Sequence, residues 1–443
     1  MSTRPRTPPI NPNPTHGTPR RRKHPSTPSK STQGIKTRLP HRIATPERVR
    51  EALNEDLALD FEADEWQAHT VYCCLQGYDG MVIAATGLGK SLIFEGTAKL
   101  AGPGKAVIVI CPLKALERDQ VKHAVSKGLV ADAVNEDTKK TPELWRRIRM
   151  ESQLIYISPE TALSDTFRRE VWSHMSFRKR IAAAFVDEAH VCDEWGTSNF
   201  RPLYRQLGDL RTWCGYGTPI WACTASCRTS TFDLLWRVLR YGSRPFWGID
   251  VGADRPNLFF HTRVLQNTDN PVLDALNLLP AHIDDSTPRE DIPKCLFYFN
   301  SEGACRDAVD TLRKCLPDHL RDCVYPFSSD MSETGKQKCW DRFGEGIIRI
   351  VCATDAAGMG CSIPDVKYSV IFGLPSSLSV VIQRWGRAGR DRTTPVSVFF
   401  WSLCGLFDQN HGQWLWRSIE YGGERSTAIP KRTTSSELGL ILH

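Results

Sequence analysis

Short runs of continuous apolar residues alternate with helix-length polar–apolar segments from about Glu51 onward. Strand-like runs fall at Met81–Ala84, Ala106–Ile110, Leu154–Ile157, Ala183–Val186 and Ile220–Ala222, and again at Leu296–Phe299, Ile348–Val351, Tyr368–Phe372 and Val396–Phe400. Runs without polar alternation, spaced by segments long enough for a crossover helix, predict buried parallel strands in an α/β fold. The series breaks near Trp247–Asn257, and a polar insertion follows at about Gln266–Pro293. Two α/β domains are expected, 51–245 and 246–400, with a short extension over 401–443 that reads mostly as loop.

The 443 residues are enough for two or three domains at roughly 100–200 residues each. The apolar fraction of 41% permits a sizeable core. No apolar run approaches the ~18 residues of a membrane span, and the N-terminus has no secretory apolar stretch. The net charge of +7 is unevenly placed. Residues 1–50 carry 12 Lys/Arg and one acid, while the remainder is net −4. Ten of the 28 prolines lie in the same first 50 residues, so this segment is expected to be a disordered basic tail. Its run Arg20–Arg21–Arg22–Lys23 reads as a nuclear address, a phosphate-binding arm or a merely solvated stretch, and placement in the nucleus is the expectation. Fifteen cysteines without a C-x-x-C pair suit buried reduced thiols better than disulfides or zinc.

The sharpest local chemistry is M-V-I-A-A-T-G-L-G-K-S, Met81 to Ser91. A strand enters a glycine-containing loop, then Lys-Ser, then a helix-compatible stretch. Gly87 and Gly89 let backbone N–H groups of the Thr86–Gly89 turn, Leu88 included, approach an anion, and the following helix N-terminus adds its dipole. Lys90 suits the β/γ-phosphates and the Ser91 hydroxyl suits Mg²⁺. Ala84 stands where the usual first glycine of such a loop falls. About 100 residues on, A-A-A-F-V-D-E-A-H (Ala182–His190) ends a strand in two acids. Asp187 is a candidate Mg²⁺ ligand and Glu188 a candidate for polarising an attacking water. Together these segments indicate a nucleoside triphosphate with Mg²⁺.

A-T-G-L-G-K-S followed by D-E-A-H resembles the superfamily 2 helicases, and further segments resemble the RecQ family. These are C-P-L-K-A-L-E-R-D-Q-V (Cys111–Val121), Y-I-S-P-E (Tyr156–Glu160), C-D-E-W-G-T-S-N-F-R-P-L-Y (Cys192–Tyr204), L-G-D-L-R (Leu207–Arg211), C-T-A-S (Cys223–Ser226), D-R-P-N-L (Asp254–Leu258), A-T-D-A-A-G-M-G (Ala353–Gly360) and Q-R-W-G-R-A-G-R-D (Gln383–Asp391). The resemblance spans about residues 55–392 and implies two tandem RecA-like P-loop domains. It implies Gln67, 23 residues before Lys90, as the adenine-reading glutamine. Arg390 is implied as the arginine finger, Arg387 as its support, and His190 and Gln383 as links between nucleotide state and domain interface. Trp195, Phe200 and Arg201 in the aromatic-rich loop, with Pro112, Lys114 and Ser158, are implied contacts to single-stranded DNA.

Some positions depart from the family pattern. No aromatic-Arg pair precedes Gln67, where Trp66 is either a stacking plane or core. Asp193-Glu194 replaces Ser-Gln, which adds like charge near a polyanion. Ser362 replaces an acid, and Tyr325–Ser328 replaces Tyr-His-Ala-Gly. Only Cys404 follows Arg390, so the family's four-cysteine zinc module, and with it the winged helix, is not expected here. The expected activity is ATP-dependent 3′→5′ DNA unwinding, with single-stranded and duplex DNA as partners, in recombination or repair. Translocation with weak unwinding, RNA included, and a non-enzymatic binding remnant are the competing readings. No membrane partner is expected.

Overall fold

The computed structural model describes residues 39–112, 114–194, 201–252, 255, 257–267, 269–357, 363–373, 375, 378–390, 396–402, 407–408 and 413–414. The chain divides into two compact units, Met1–Ala253 and Asp254–His443.

The first unit opens on α1 (Pro46–Asp56) and α2 (Glu65–Leu75). The α1 start is written locally: the Thr45 side chain accepts from the Arg48 N–H and Pro46 occupies the first helical position. Val49, Ala52 and Leu53 of this helix are buried and a short 3₁₀ turn at His41–Ile43 precedes it, so residues 41–50, expected as part of the tail, are folded. Averaging proline and charge over 50 residues hid this amphipathic start. Seven parallel strands follow: β1 (Asp79–Ala84), β2 (Ala106–Ile110), β3 (Ala131–Val134), β4 (Leu154–Ile157), β5 (Ile181–Val186), β6 (Ile220–Thr224) and β7 (Phe246–Gly252). Their order is β3-β4-β2-β5-β6-β1-β7. Because β7 pairs with β1 from Asp79↔Phe246 onward, residues 246–252 complete the first sheet. The division therefore falls after Ala253 and not after residue 245 as expected.

Both faces of this sheet are covered, which is why its inner strands read as unbroken apolar runs. Val82, Val107, Val109, Tyr156, Phe185 and Trp221 pack on one side with α1, α2, α3 (Ser91–Leu100) and α4 (Lys114–Ser126). The alternate residues Met81, Ile83, Ile108, Ile110, Ala184 and Val186 pack on the other with Trp145, Phe167 and Trp172. Trp66 is 1% exposed and its indole N–H donates to Asp64 at 3.2 Å, so it is core and no stacking plane. At the amino end of β1, buried Asp79 takes both Arg211 Nη2 (2.7 Å) and Nη1 (3.2 Å) and the Ile220 N–H (2.9 Å). This ion pair ties the L-G-D-L-R segment to β1 and β6.

The second unit holds six parallel strands in the order β10-β11-β9-β12-β13-β8. They are β8 (Leu258–Val264), β9 (Cys295–Tyr298), β10 (Val324–Phe327), β11 (Ile350–Ala353), β12 (Tyr368–Phe372) and β13 (Val396–Ser402). The Gln266–Pro293 stretch is less detached than its polarity suggests, since Val272, Ala275, Leu279 and Ile292 are buried against Phe297 and Leu312. No described cysteine forms a disulfide, and burial raises the thiol pKa values of Cys111, Cys223 and Cys352. Among the described residues no helix is long and apolar enough to cross a membrane, and no three metal-binding side chains cluster.

Candidate nucleotide site and its neighbours

The carboxyl ends of β2, β5, β6 and β1 lie side by side, and each delivers chemistry to one edge. From β1 the chain turns through Thr86–Gly89 into α3, with Gly87 at φ 82° and Gly89 at φ 77°, backbone that glycine adopts without strain. Ala84 remains within β1 and outside the left-handed region, so the glycine usual at that position is not demanded here. Lys90 Nζ folds back on its own loop and donates to Ala84 O (2.9 Å) and Ala85 O (3.3 Å). Ser91 opens α3, and its hydroxyl accepts from Gln120 Nε2 at 2.9 Å.

From β5 comes Asp187, anchored by its N–H to Ile110 O (2.9 Å) and accepting the Glu188 N–H at 2.9 Å. Burial, with Glu188 beside it, raises the Asp187 carboxyl to about 7, against the pull of Lys90. Glu188 sits at φ 45°, a left-handed conformation uncommon outside glycine, at the point where the candidate chemistry needs its side chain. His190 lies 3.5 Å from Glu188 Oε2 and 2.8 Å from Thr224 Oγ1 through Nδ1. The Thr224 hydroxyl donates to Ser226 O at 2.9 Å, so Nδ1 carries the proton that Thr224 accepts. The D-E-A-H and C-T-A-S segments are thus one network across β5 and β6.

The donor set suits a triphosphate with a divalent cation. A lysine and a helix start face the loop, and a buried carboxyl whose ionised form is disfavoured in the bare protein stands ready for positive charge. Gln67 is more committed than an adenine reader needs to be. Its Nε2 donates to Leu88 O (3.2 Å) and Gly89 O (3.0 Å), while its Oε1 accepts the Asp64 N–H (2.8 Å). It holds the phosphate loop and caps α2 at once. The Asp64-x-x-Gln67 spacing is a capping-box signal that could have revealed the second task.

Of the expected strand contacts, Arg201 reaches Pro112 O (2.5 Å) and Glu160 (3.4 Å), which joins three of the family-like segments at this edge. Ser158 is buried and occupied: it caps the helix at Pro159 by accepting the Thr161 N–H, and it donates to Glu136. Its hydroxyl serves this local structure. Asp193 accepts from Thr231 at 2.6 Å, so part of the added acidity serves packing. Lys114 begins α4, but its side chain lies outside the described residues, as do Trp195 and Phe200.

In the second unit, Gln383 lies on the helix Leu378–Trp385, with Arg387 and Arg390 just beyond it. Gln383 and Arg387 are buried, whereas Arg390 is partly exposed. The D-R-P-N-L segment holds this loop: Arg255 Nη2 donates to Ala388 O (3.1 Å) and Gly389 O (2.6 Å), and Asn257 Nδ2 donates to Gly389 O (2.8 Å). Arg384 binds Asp355 at 2.7 Å and lies over the Tyr298 ring. Thr224, Arg255, Asn257 and Arg384 all fall in segments that the sequence marks out, yet only tertiary contact reveals what each holds.

The chain matches the DEAD/DEAH box helicase domain over residues 64–234 and the helicase conserved C-terminal domain over 277–392. It is 29% identical over 339 residues to the ATP-dependent DNA helicase RecQ of Pasteurella multocida, covering 76% of this chain and 49% of that protein. It is 27% identical over 345 residues to the ATP-dependent helicase SGS1 of Saccharomyces cerevisiae, covering 76% and 22%. The chain spans about half the length of the bacterial relatives it matches. Among solved structures, the DUF1998 helicase MrfA bound to DNA and AMPPNP aligns with a TM-score of 0.64 at 16% identity, covering 86% of this chain and 52% of that one. S. cerevisiae Dbp5 bound to RNA and ADP BeF3 aligns with a TM-score of 0.58 at 15% identity, covering 83% and 89%. These likenesses are of fold, two tandem RecA-like domains. Both helicase domains are thus matched in order, and over the same span the chain is similar to helicases of the RecQ family.

Proposed function

We propose that this protein hydrolyses ATP to move 3′→5′ along single-stranded DNA and to separate duplex DNA. The observation that carries the reading is the convergence of Lys90, Ser91, Asp187 and Glu188 on one sheet edge in a chain whose relatives are named as ATP-dependent DNA helicases. In this reading Lys90 leaves the Ala84 and Ala85 carbonyls for the β/γ-phosphates, and the loop N–H groups meet the remaining charge. Ser91 and Asp187 would hold Mg²⁺, which supplies charge neutralisation at the transferring phosphoryl group. Glu188 accepts the proton of the attacking water, with His190 orienting it against Thr224. Arg387 and Arg390 contribute guanidinium charge to the transition state, a role worth roughly 10³–10⁵ in rate in related sites.

Strand contact falls to the segment containing Trp195 and Phe200 and to the first turn of α4. Each base stacked on an aromatic ring contributes ~1–3 kcal/mol. Opening each base pair costs about 1.4 kcal/mol of stacking, which the motor supplies through stepping. The test is strand displacement on 3′-tailed and 5′-tailed duplexes, each in DNA and in RNA, with ATP turnover recorded alongside. The reading expects displacement of the 3′-tailed DNA duplex. Preference for the 5′ tail removes the direction, preference for RNA removes the substrate, and turnover without displacement leaves a translocase.

A further inference from the structure

The helices α3 and α4 face each other through a polar seam that begins at Ser91 of the candidate phosphate site and runs on through residues the phosphate chemistry above does not use. On α3, Ser91 and Glu95 lie one turn apart on the same face. On α4, Gln120 and His123 share a face, and Lys127 follows just past the helix end. Gln120 Nε2 donates to Ser91 Oγ at 2.9 Å. His123 Nδ1 lies 2.6 Å from Glu95 Oε1, and Lys127 Nζ lies 2.7 Å from Glu95 Oε2. Glu95 is fully buried, so its charge is tolerable only with partners, and both come from the α4 side. From β4 beneath, the Tyr156 hydroxyl lies 3.5 Å from Gln120 Oε1, a long contact that favours the amide with its N–H₂ end toward Ser91.

We infer that Gln120 is a positioning residue for the divalent cation: it orients the Ser91 hydroxyl from outside the site and makes α4 part of the metal-binding apparatus. The inference rests on the proposed phosphate site and deepens it. A serine hydroxyl has two lone pairs and one proton. The Gln120 N–H takes one lone pair, which leaves the other for the cation and the proton for a phosphate oxygen. Without this donor the hydroxyl rotates, and the oxygen must be ordered again each time a cation binds. The Glu95–His123–Lys127 clamp holds α4 in place a turn further along.

The test is the Mg²⁺ concentration at which a fluorescent ATP analogue (mant-ATP) binds half-maximally to the full chain, with a parallel titration in EDTA. Gln120→Met keeps the length and removes both hydrogen bonds. Its expected effect is an upward shift of the Mg²⁺ midpoint of about fivefold, the equivalent of one hydrogen bond, with EDTA binding unchanged. Tyr156→Phe should shift it in the same direction by less. In a Ser91→Ala background Gln120→Met should produce no further shift, which a general packing role would not predict. An unmoved midpoint in Gln120→Met, or an equal shift with and without Ser91, overturns the inference while leaving the phosphate site standing. If the wild-type chain binds mant-ATP without Mg²⁺ dependence, the inference and the phosphate-site reading fall together.

Discussion

Asp187→Asn should stabilise the nucleotide-free protein in alkaline solution while abolishing its turnover. The wild-type carboxyl moves from an ordinary 3.8 to about 7, mainly through burial and the neighbouring Glu188. Holding it ionised therefore costs the fold stability, since each pKa unit of upward shift corresponds to about 1.4 kcal/mol. A raised folded-state value means that the stabilising contribution is complete below pH 3.8 and is lost as pH climbs through 7. Asparagine has nearly the same shape and no charge, but it brings an amide that needs a partner, which offsets part of the gain. The stability of the variant relative to wild type should therefore rise between pH 5 and pH 8, by on the order of 1 kcal/mol or more. Urea unfolding of both proteins at the two pH values measures the difference directly, because other titrations cancel between them. A variant less stable than wild type at pH 8, or a difference independent of pH, would refute the reasoning.

Two further outcomes follow from the contacts around the site. Arg211→Met leaves Asp79 buried without its bidentate partner and should destabilise the first unit by about 3–5 kcal/mol at pH 7; thermal unfolding unchanged from wild type would contradict the assigned ion pair. Arg255→Ala removes two charged-donor bonds from the Ala388–Gly389 carbonyls, each worth about 1.5–3 kcal/mol, and should lower ATP turnover at least tenfold with mant-ATP affinity intact. Wild-type turnover in that variant would show that the loop holds its arginines without this support.

The strands missed by the hydrophobic pattern share one physical feature. β3 and β7 are the two edges of the first sheet, and β10 and β8 are the two edges of the second. Inner strands such as β2 (AVIVI) are buried on both faces and read as unbroken apolar runs. An edge strand packs less completely and carries polar residues or proline, as in Phe-Trp-Gly-Ile-Asp-Val-Gly of β7 and Pro326 of β10. The pattern therefore saw the middle of each sheet and lost its margins. The same loss moved the expected domain boundary, since β7 lies where the apolar series seemed to break.

The candidate site was legible where its chemistry is local. A glycine turn followed by Lys-Ser, and two acids at a strand end, declare themselves because each needs only adjacent residues. Gln67, Thr224, Arg255 and Gln120 act through partners 21 to 134 residues away, and no local pattern encodes such pairings. Ser158 carries a second task that the resemblance did not suggest. Its segment resembles a strand-binding one, but Ser-Pro-Glu-Thr is also a helix start, and the hydroxyl is used for that.

The most direct measurement of the central claim is steady-state ATP hydrolysis by the wild-type chain and by Lys90→Ala, each with and without single-stranded DNA. The account predicts DNA-stimulated turnover in the wild type and background turnover in the variant under both conditions. Turnover in Lys90→Ala equal to that of the wild type would contradict it.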